Sequence, residues 1–164
     1  MYKNIFKIGA AALLLVGILD IEKAASYIDY NTVGVLVGMM VFVAVIKNSG
    51  MFEYIAIKSA KIAKGDPWRI MVLFTIVTAV LSAFLDNVTT VLLIGPMTIS
   101  ITSILGLNPM PFLLTQVLAS NIGGTSTLIG DPPNIMIGSA AGFSFMDFVF
   151  NLAPCIVIII ILLI

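Results

Sequence analysis

Two polar stretches lie inside apolar sequence long enough to sit at membrane depth: Asp86-Asn87-Val88-Thr89-Thr90, and Ser120 to Asn134, which reads SNIGGTSTLIGDPPN. Lipid offers no hydrogen bond to a carboxylate, an amide or an unwound backbone. Such groups survive there only against protein or a water-filled cavity. An ionisable residue at that depth points to function. The two stretches therefore read as parts of one transport site.

Composition supports the membrane assignment. The 164-residue chain is 60% hydrophobic and 10% charged, with a mean hydropathy of +1.18, whereas soluble domains carry about 25% charged residues. A net formal charge of zero gives no case for nucleic acid as a partner. One cysteine, Cys155, and no histidine exclude disulfide frameworks, zinc sites and histidine acid–base chemistry. No nucleophile–base pair points to an enzyme, and no cofactor is implied. Cys155 reads as packing and the nine Met as filler. All eight Lys and Arg lie at or before Arg69; beyond it the only charged side chains are Asp86, Asp131 and Asp147. The second half of the chain thus offers cations, but not anions, a side-chain partner.

Hydropathy predicts an all-α polytopic membrane protein, a single transmembrane domain over 1–164. Spans are expected at about 5–21 and 32–46, the second short for a ~30 Å hydrocarbon core that takes roughly 20 residues. Gly34 and Gly38 fit a GxxxG packing face. A loop with Asp20, Glu22, Lys23 and Asp29 joins the two. Lys47, Lys58, Lys61, Lys64 and Arg69, against Glu53 and Asp66, place 47–69 in the cytoplasm. The N-terminus is then also inside, in a cell (inner or plasma) membrane. Phe52, Ile55, Ala56, Ser59 and Ile62 recur at helical spacing between lysines, which predicts an interfacial helix over about 50–64, ended by Gly65-Asp66-Pro67.

Residues 69–105 fit either two steep spans or a re-entrant hairpin with Asp86-Asn87 at its tip, and arm length allows both. Residues 111–141 would reach roughly 45 Å as one helix, too long to stand upright. Gly123-Gly124, Gly130 and Asp131-Pro132-Pro133 predict a broken span: a helix over 111–121, an unwound loop, and a second helix starting near Pro133 with Asp131 as its N-cap. An external turn over 143–147 and a span over 148–164 complete the pattern. The sequence stops inside that hydrophobic run, so a fragment is expected.

Interrupted helices let transporters handle ions, because half-helix N-termini attract anions and unwound carbonyls coordinate cations. The first stretch offers Asp86, Asn87, Thr89 and Thr90, with Ser82 one helical turn earlier on the same face. The second offers Ser120, Asn121, Thr125, Ser126, Thr127, Asp131, Asn134 and the bare backbone of Gly123 and Gly124. Oxygen donors of these kinds suit Na⁺. Carboxyls without a basic neighbour also load protons near neutral pH when burial raises their pKa. The plainer readings are that Asp131 only caps a helix, that Asp86 is purely structural, and that Ser and Thr glue helices together.

SAFLDNVTTVLLIGP (82–96) followed by ASNIGGTSTLIGDPPNIMIGSAAG (119–142) resembles the ion-transporter superfamily, which includes arsenite-efflux permeases, citrate and dicarboxylate permeases and sodium–proton antiporters. The similarity extends to FEYIAIKSAKIAKGDPWR (52–69) and covers nearly the whole chain. It implies two inverted repeats with the substrate between them, of which this chain is the N-terminal one; the other would lie beyond Ile164. The superfamily's dicarboxylate transporters carry a Ser-Asn-Thr tip on a re-entrant hairpin, followed by a proline; Asp86-Asn87-Val88 and Pro96 hold those positions here. The resemblance implies a Na⁺ site at Ser82, Asp86, Asn87 and Gly124, shared between tip and helix break. Asp in place of Ser, and Val in place of Thr, disfavour a carboxylate and favour a cation or proton.

The expected function is a secondary active transporter that moves a small ion or oxyanion, arsenite-like or carboxylate, coupled to H⁺ or Na⁺. Sodium–proton antiport is one alternative. A non-transporting half-length interaction subunit is the alternative from another class. The expected partners are the lipid bilayer, a small ionic substrate and a C-terminal repeat, with a homodimer left open.

Overall fold

The computed structural model describes residues 2–17, 26 and 28–164, and every regular element among them is an α-helix. In chain order these are α1 (Tyr2–Leu15), α2 (Tyr30–Lys47), α3 (Met51–Ala63), α4 (Pro67–Ser82), α5 (Asn87–Ile104), α6 (Met110–Gly124), α7 (Pro132–Ala141), α8 (Phe145–Asn151) and α9 (Ala153–Leu163). The all-α membrane architecture read from hydropathy holds. α2 and α5, at 18 residues each, are long and apolar enough to cross a bilayer, and α8 with α9, bent by 47°, form a third candidate. Asp20, Glu22 and Lys23 lie outside the described residues, as does the end of the 5–21 span.

Local chemistry sets the helix ends. Asp29 caps α2, accepting hydrogen bonds from the Asn31 and Thr32 amides at 3.0 and 3.2 Å and from the Thr32 hydroxyl at 2.6 Å. The Ser139 hydroxyl of α7 binds the same carboxylate. With the Thr32 bonds, it lowers the Asp29 pKa from 3.8 to about 2. The start of α2 is thereby tied to the far half of the broken helix. The predicted GxxxG face is not used in this fold: a Cβ at Gly34 or Gly38 would meet nothing within 4 Å among the described residues.

α3 buries Phe52, Ala56, Ser59 and Ala63, one stripe at helical spacing, while Tyr54, Ile57 and Ile62 stay exposed. Lys64 and Gly65, both at positive φ, turn the chain, and Asp66 then caps α4 through the Arg69 amide at 3.0 Å. Pro67 occupies the first turn, where its missing N–H costs nothing.

α4 and α5 form a hairpin: Ile70 near the start of α4 lines one groove with Ile101 and Leu105 at the end of α5. α6 packs along α4 in the same direction. Ala56, Ala63, Ile70, Phe74, Ile94 and Phe112 make one buried cluster that joins α3 to these three helices. Val43, Phe52, Leu85 and Leu93 make a second that brings in α2 and the hairpin tip. Inside a bilayer there is no water to expel, so contacts of this kind rest on close packing, and small residues let backbones approach.

Two boundaries differ from the sequence reading. α6 runs through Gly124, so Gly123 and Gly124 are helical rather than unwound. The cause is packing: Gly123 lies so close to α4 that a Cβ would sit 2.2 Å from the Ala79 carbonyl oxygen, and helical geometry with no side chain meets that constraint. The external turn predicted at 143–147 is also shorter. Ser144 caps α8 in a reciprocal capping box with Asp147.

Candidate ion site at the hairpin tip and helix break

The hairpin turns over Ala83-Phe84-Leu85, and Asp86 caps α5 rather than continuing α4. Ser82 and Asp86 are therefore not one turn apart on a single helical face, as the spacing alone predicts. Each ends its own helix, and the tip lies between them. The Asp86 carboxylate accepts from the Thr89 amide at 2.7 Å and from the Thr89 hydroxyl. The Thr90 hydroxyl, fully buried, bonds the Asp86 carbonyl at 3.0 Å. Asp86, Thr89 and Thr90 thus form one capping unit that fixes the tip.

The tip sits on the helix break. The Ser82 hydroxyl donates to the Ser120 carbonyl at 2.6 Å, with both residues buried. Asn87 donates its amide to Asn121 at 2.9 Å, and Asn121 donates to the Val117 carbonyl at 2.7 Å. These two asparagines, with Val88 and Ser120, line a groove of 250 Å³. The Thr127 hydroxyl reaches across to the Ala83 carbonyl and accepts the Gly130 amide at 3.1 Å.

Glycine is required at the crossing because the backbones meet. A Cβ at Gly124 would lie 2.6 Å from the Gly130 carbonyl oxygen and 3.1 Å from the Ser82 hydroxyl. A Cβ at Gly130 would lie 2.3 Å from the Gly124 carbonyl oxygen and 2.6 Å from that of Ser82. The unwound segment is 125–131. Asn134, buried at the start of α7, stitches it by donating to the carbonyls of Gly124, Thr125 and Thr127 at 3.5, 3.4 and 2.8 Å. Thr125 stays on its own helix, bonded to the Asn121 carbonyl at 2.9 Å.

Asp131 behaves differently from Asp86. It holds the N-cap position of α7 in extended backbone geometry, but its side chain makes no capping hydrogen bond. One carboxylate is committed to a helix end and the other is not.

The structure therefore joins Ser82, Asn87, Ser120, Asn121, Gly123, Gly124 and Asn134 into one junction, with Asp86 beside it as the cap of α5. It assigns Thr89, Thr90 and Thr125 to local bonds. Within the suggested Na⁺ set, the Ser82 hydroxyl would lie 3.1 Å from a Cβ placed on Gly124, while the Asp86 carboxylate turns to Thr89. Thr127 and Gly130, an oxygen donor and a helix breaker by sequence, are junction residues as well. Their partners lie 44 residues away in sequence for Thr127, which no local pattern reveals.

Residues 5–164 match the sequence family described as Citrate transporter (CitMHS). A protein of Mycobacterium tuberculosis named an uncharacterized transporter is 49% identical over 84% of this chain and 32% of its own length. The 46 kDa membrane protein of Mycobacterium leprae is 46% identical over 94% of this chain and 37% of its own length. The P protein of Homo sapiens is 38% identical over 79% of this chain and 16% of its own length. The chain thus spans 32% to 37% of the length of the mycobacterial relatives. No solved structure matches it.

Proposed function

Because the chain belongs to the citrate transporter family, we propose that it forms part of the translocation core of a secondary active transporter, with the coupling cation handled where the hairpin tip meets the helix break. The observation that carries this reading is Asp131. It is a carboxylate at the break of a membrane helix, free of any capping bond, in a half of the chain with no Lys or Arg. A charge in that setting needs a cation or a proton as its partner. Asp86 adds negative charge from a fixed position, and Ser82 with the Gly124 backbone adds neutral oxygens, the donors that H⁺-linked or Na⁺-linked sites use.

The re-entrant reading of α4–α5 belongs to the same proposal, as does the orientation with the lysine-rich 47–69 segment in the cytoplasm. Asn87 and Asn121 are at the open side of the junction, where further chain of the full transporter would complete the substrate site. The transported species is a small ion or oxyanion. Sodium–proton antiport is the second reading, favoured by the pair of aspartates without a basic neighbour.

Flux into proteoliposomes containing the full transporter tests the proposal. Imposed H⁺ or Na⁺ gradients should drive accumulation of a carboxylate or arsenite-like substrate, or exchange with each other. Failure of every gradient to drive any of these would refute it.

A further inference from the structure

The corner between α3 and α4 carries a groove that neither the ion site nor the buried core uses. Ile62 of α3 and Trp68, Arg69, Val72 and Leu73 of α4 line it, around 350 Å³. Trp68 and Val72 lie one helical turn apart, as do Arg69 and Leu73, so the groove runs along one face of α4. Its polar end is the first turn of that helix, where Arg69 and the Trp68 indole are both exposed. Its other end is aliphatic. The stripe of Trp68 and Val72 continues through Ile76 and Val80, two exposed apolar side chains. Past Arg69, α4 carries no charge. The groove thus leads from the last basic residue of the chain onto apolar surface.

Local structure does not account for the Arg69 charge. It sits in the first turn of α4, where the helix dipole disfavours a cation. Asp66, the nearest acid in sequence, spends its carboxylate on capping and accepts the Arg69 backbone amide at 3.0 Å. Among the described residues, no ion pair or side-chain hydrogen bond engages the guanidinium, and no Asp or Glu lines the groove. Across the corner, a second groove of 300 Å³ has Lys61 as its one charged lining residue. The corner is therefore cationic above apolar walls, and its complement is an anion with an apolar body.

We propose that the Arg69 groove binds one anionic phospholipid. The phosphate meets the Arg69 guanidinium, the Trp68 indole lies at the level between head group and chains, and an acyl chain runs between Ile62 and the Val72–Leu73 wall. A guanidinium holds two phosphate oxygens at once through parallel N–H bonds, which the Lys61 ammonium across the corner does not do. Tryptophan favours the boundary between head groups and hydrocarbon, because its ring is apolar and its one N–H is a donor. Basic pockets beside membrane helices suit anionic head groups in general. The aliphatic walls select a lipid over a free phosphate, which gains nothing from them. Neither the ion site nor its coupling bears on this groove; the orientation proposed above sets only the leaflet, the one facing the cytoplasm.

Native mass spectrometry of the full transporter, titrated with phosphatidylglycerol and with phosphatidylcholine of matched acyl chains, tests it. The tightest lipid site should prefer phosphatidylglycerol. Arg69→Gln should weaken that site for phosphatidylglycerol about fivefold, roughly what one basic side chain contributes near an anionic membrane surface, and for phosphatidylcholine by less. Lys61→Gln, in the other groove, should cost the site much less than Arg69→Gln does. Equal losses in the two variants would mean diffuse attraction to the basic corner and would overturn the groove. A parent without preference between the lipids would overturn it too, as when further chain of the transporter fills the space. Trp68→Ala keeps the charge and should weaken both lipids; unchanged binding of both would place the lipid elsewhere. Dibutyroyl phosphatidylglycerol, which has the head group but little chain, should compete poorly. Competition as strong as that of the full lipid would make the guest a free phosphate ester and overturn the phospholipid.

Discussion

The Ser82 hydroxyl donates to the Ser120 carbonyl across 2.6 Å and joins the end of one hairpin arm to the helix that breaks five residues later. That bond is buried and links residues 38 apart, so it reports tertiary assembly of the junction rather than local helix structure. Ser82→Ala should destabilise the folded protein by about 1 kcal/mol, the usual net worth of one buried neutral hydrogen bond. Chemical or thermal unfolding of the purified protein measures it. An unchanged midpoint would mean that the bond contributes nothing.

Glycine substitutions should separate the crossing from the rest of the chain. Gly123→Ala and Gly130→Ala each drive a methyl into backbone atoms nearer than 2.7 Å. Overpacking of that kind costs about 1–3 kcal/mol or more. Gly34→Ala meets open space and should be tolerated, even stabilising by up to about 1 kcal/mol through helix propensity. Expression level and Tm of the three variants, ranked side by side, check the ordering.

Asn134 donates one amide group to three loop carbonyls. Asn134→Leu removes the donor and leaves those carbonyls without it, a loss of about 1–3 kcal/mol. Proteolysis or hydrogen exchange over residues 124–131 should rise in this variant. Unchanged protection there would show that the loop is held by other means.

The cap on α2 predicts a pH response. Ser139 and Thr32 lower the Asp29 pKa from 3.8 to about 2. A depressed folded-state pKa contributes stability above the unfolded value and loses it as pH falls through the folded value. Protection of the Asn31 and Thr32 amides should therefore hold above about pH 4 and fall toward pH 2. In Asp29→Asn, protection should show no titration over that window, since Asn caps without a charge. A titration centred near pH 6 would contradict the assignment.

Much of the architecture is legible in the sequence because a bilayer leaves few choices. Long apolar runs become helices, Gly65-Asp66-Pro67 ends one and starts the next, and Pro132-Pro133 prevents a helix from continuing across them. The position of the unwinding was not legible. Gly123-Gly124 reads as a breaker, yet both residues are helical because α4 presses against them. The roles of the two aspartates were equally hidden. Asp131 before Pro-Pro looks like the capping residue and Asp86 like the free one, but the hydrogen bonds fall the other way. Caps depend on side-chain rotamers and on what packs nearby, neither of which residue type records. Thr127 reads as an oxygen donor and Gly130 as a breaker, but their contacts with the hairpin tip join residues far apart in sequence.

The central claim is that Asp131 is the carboxylate that meets the coupling ion, while Asp86 holds the tip. Coupled flux in proteoliposomes, measured against pH and Na⁺ for Asp131→Asn and Asp86→Asn, tests it most directly. Asp131→Asn should lower coupled flux by at least about tenfold, ~1.4 kcal/mol in the barrier, and flatten its dependence on the driving ion. Asp86→Asn should keep the helix cap, because Asn also caps helices well, and should lower coupled flux less than Asp131→Asn does. Full coupled flux with an unaltered ion dependence in Asp131→Asn would contradict the account.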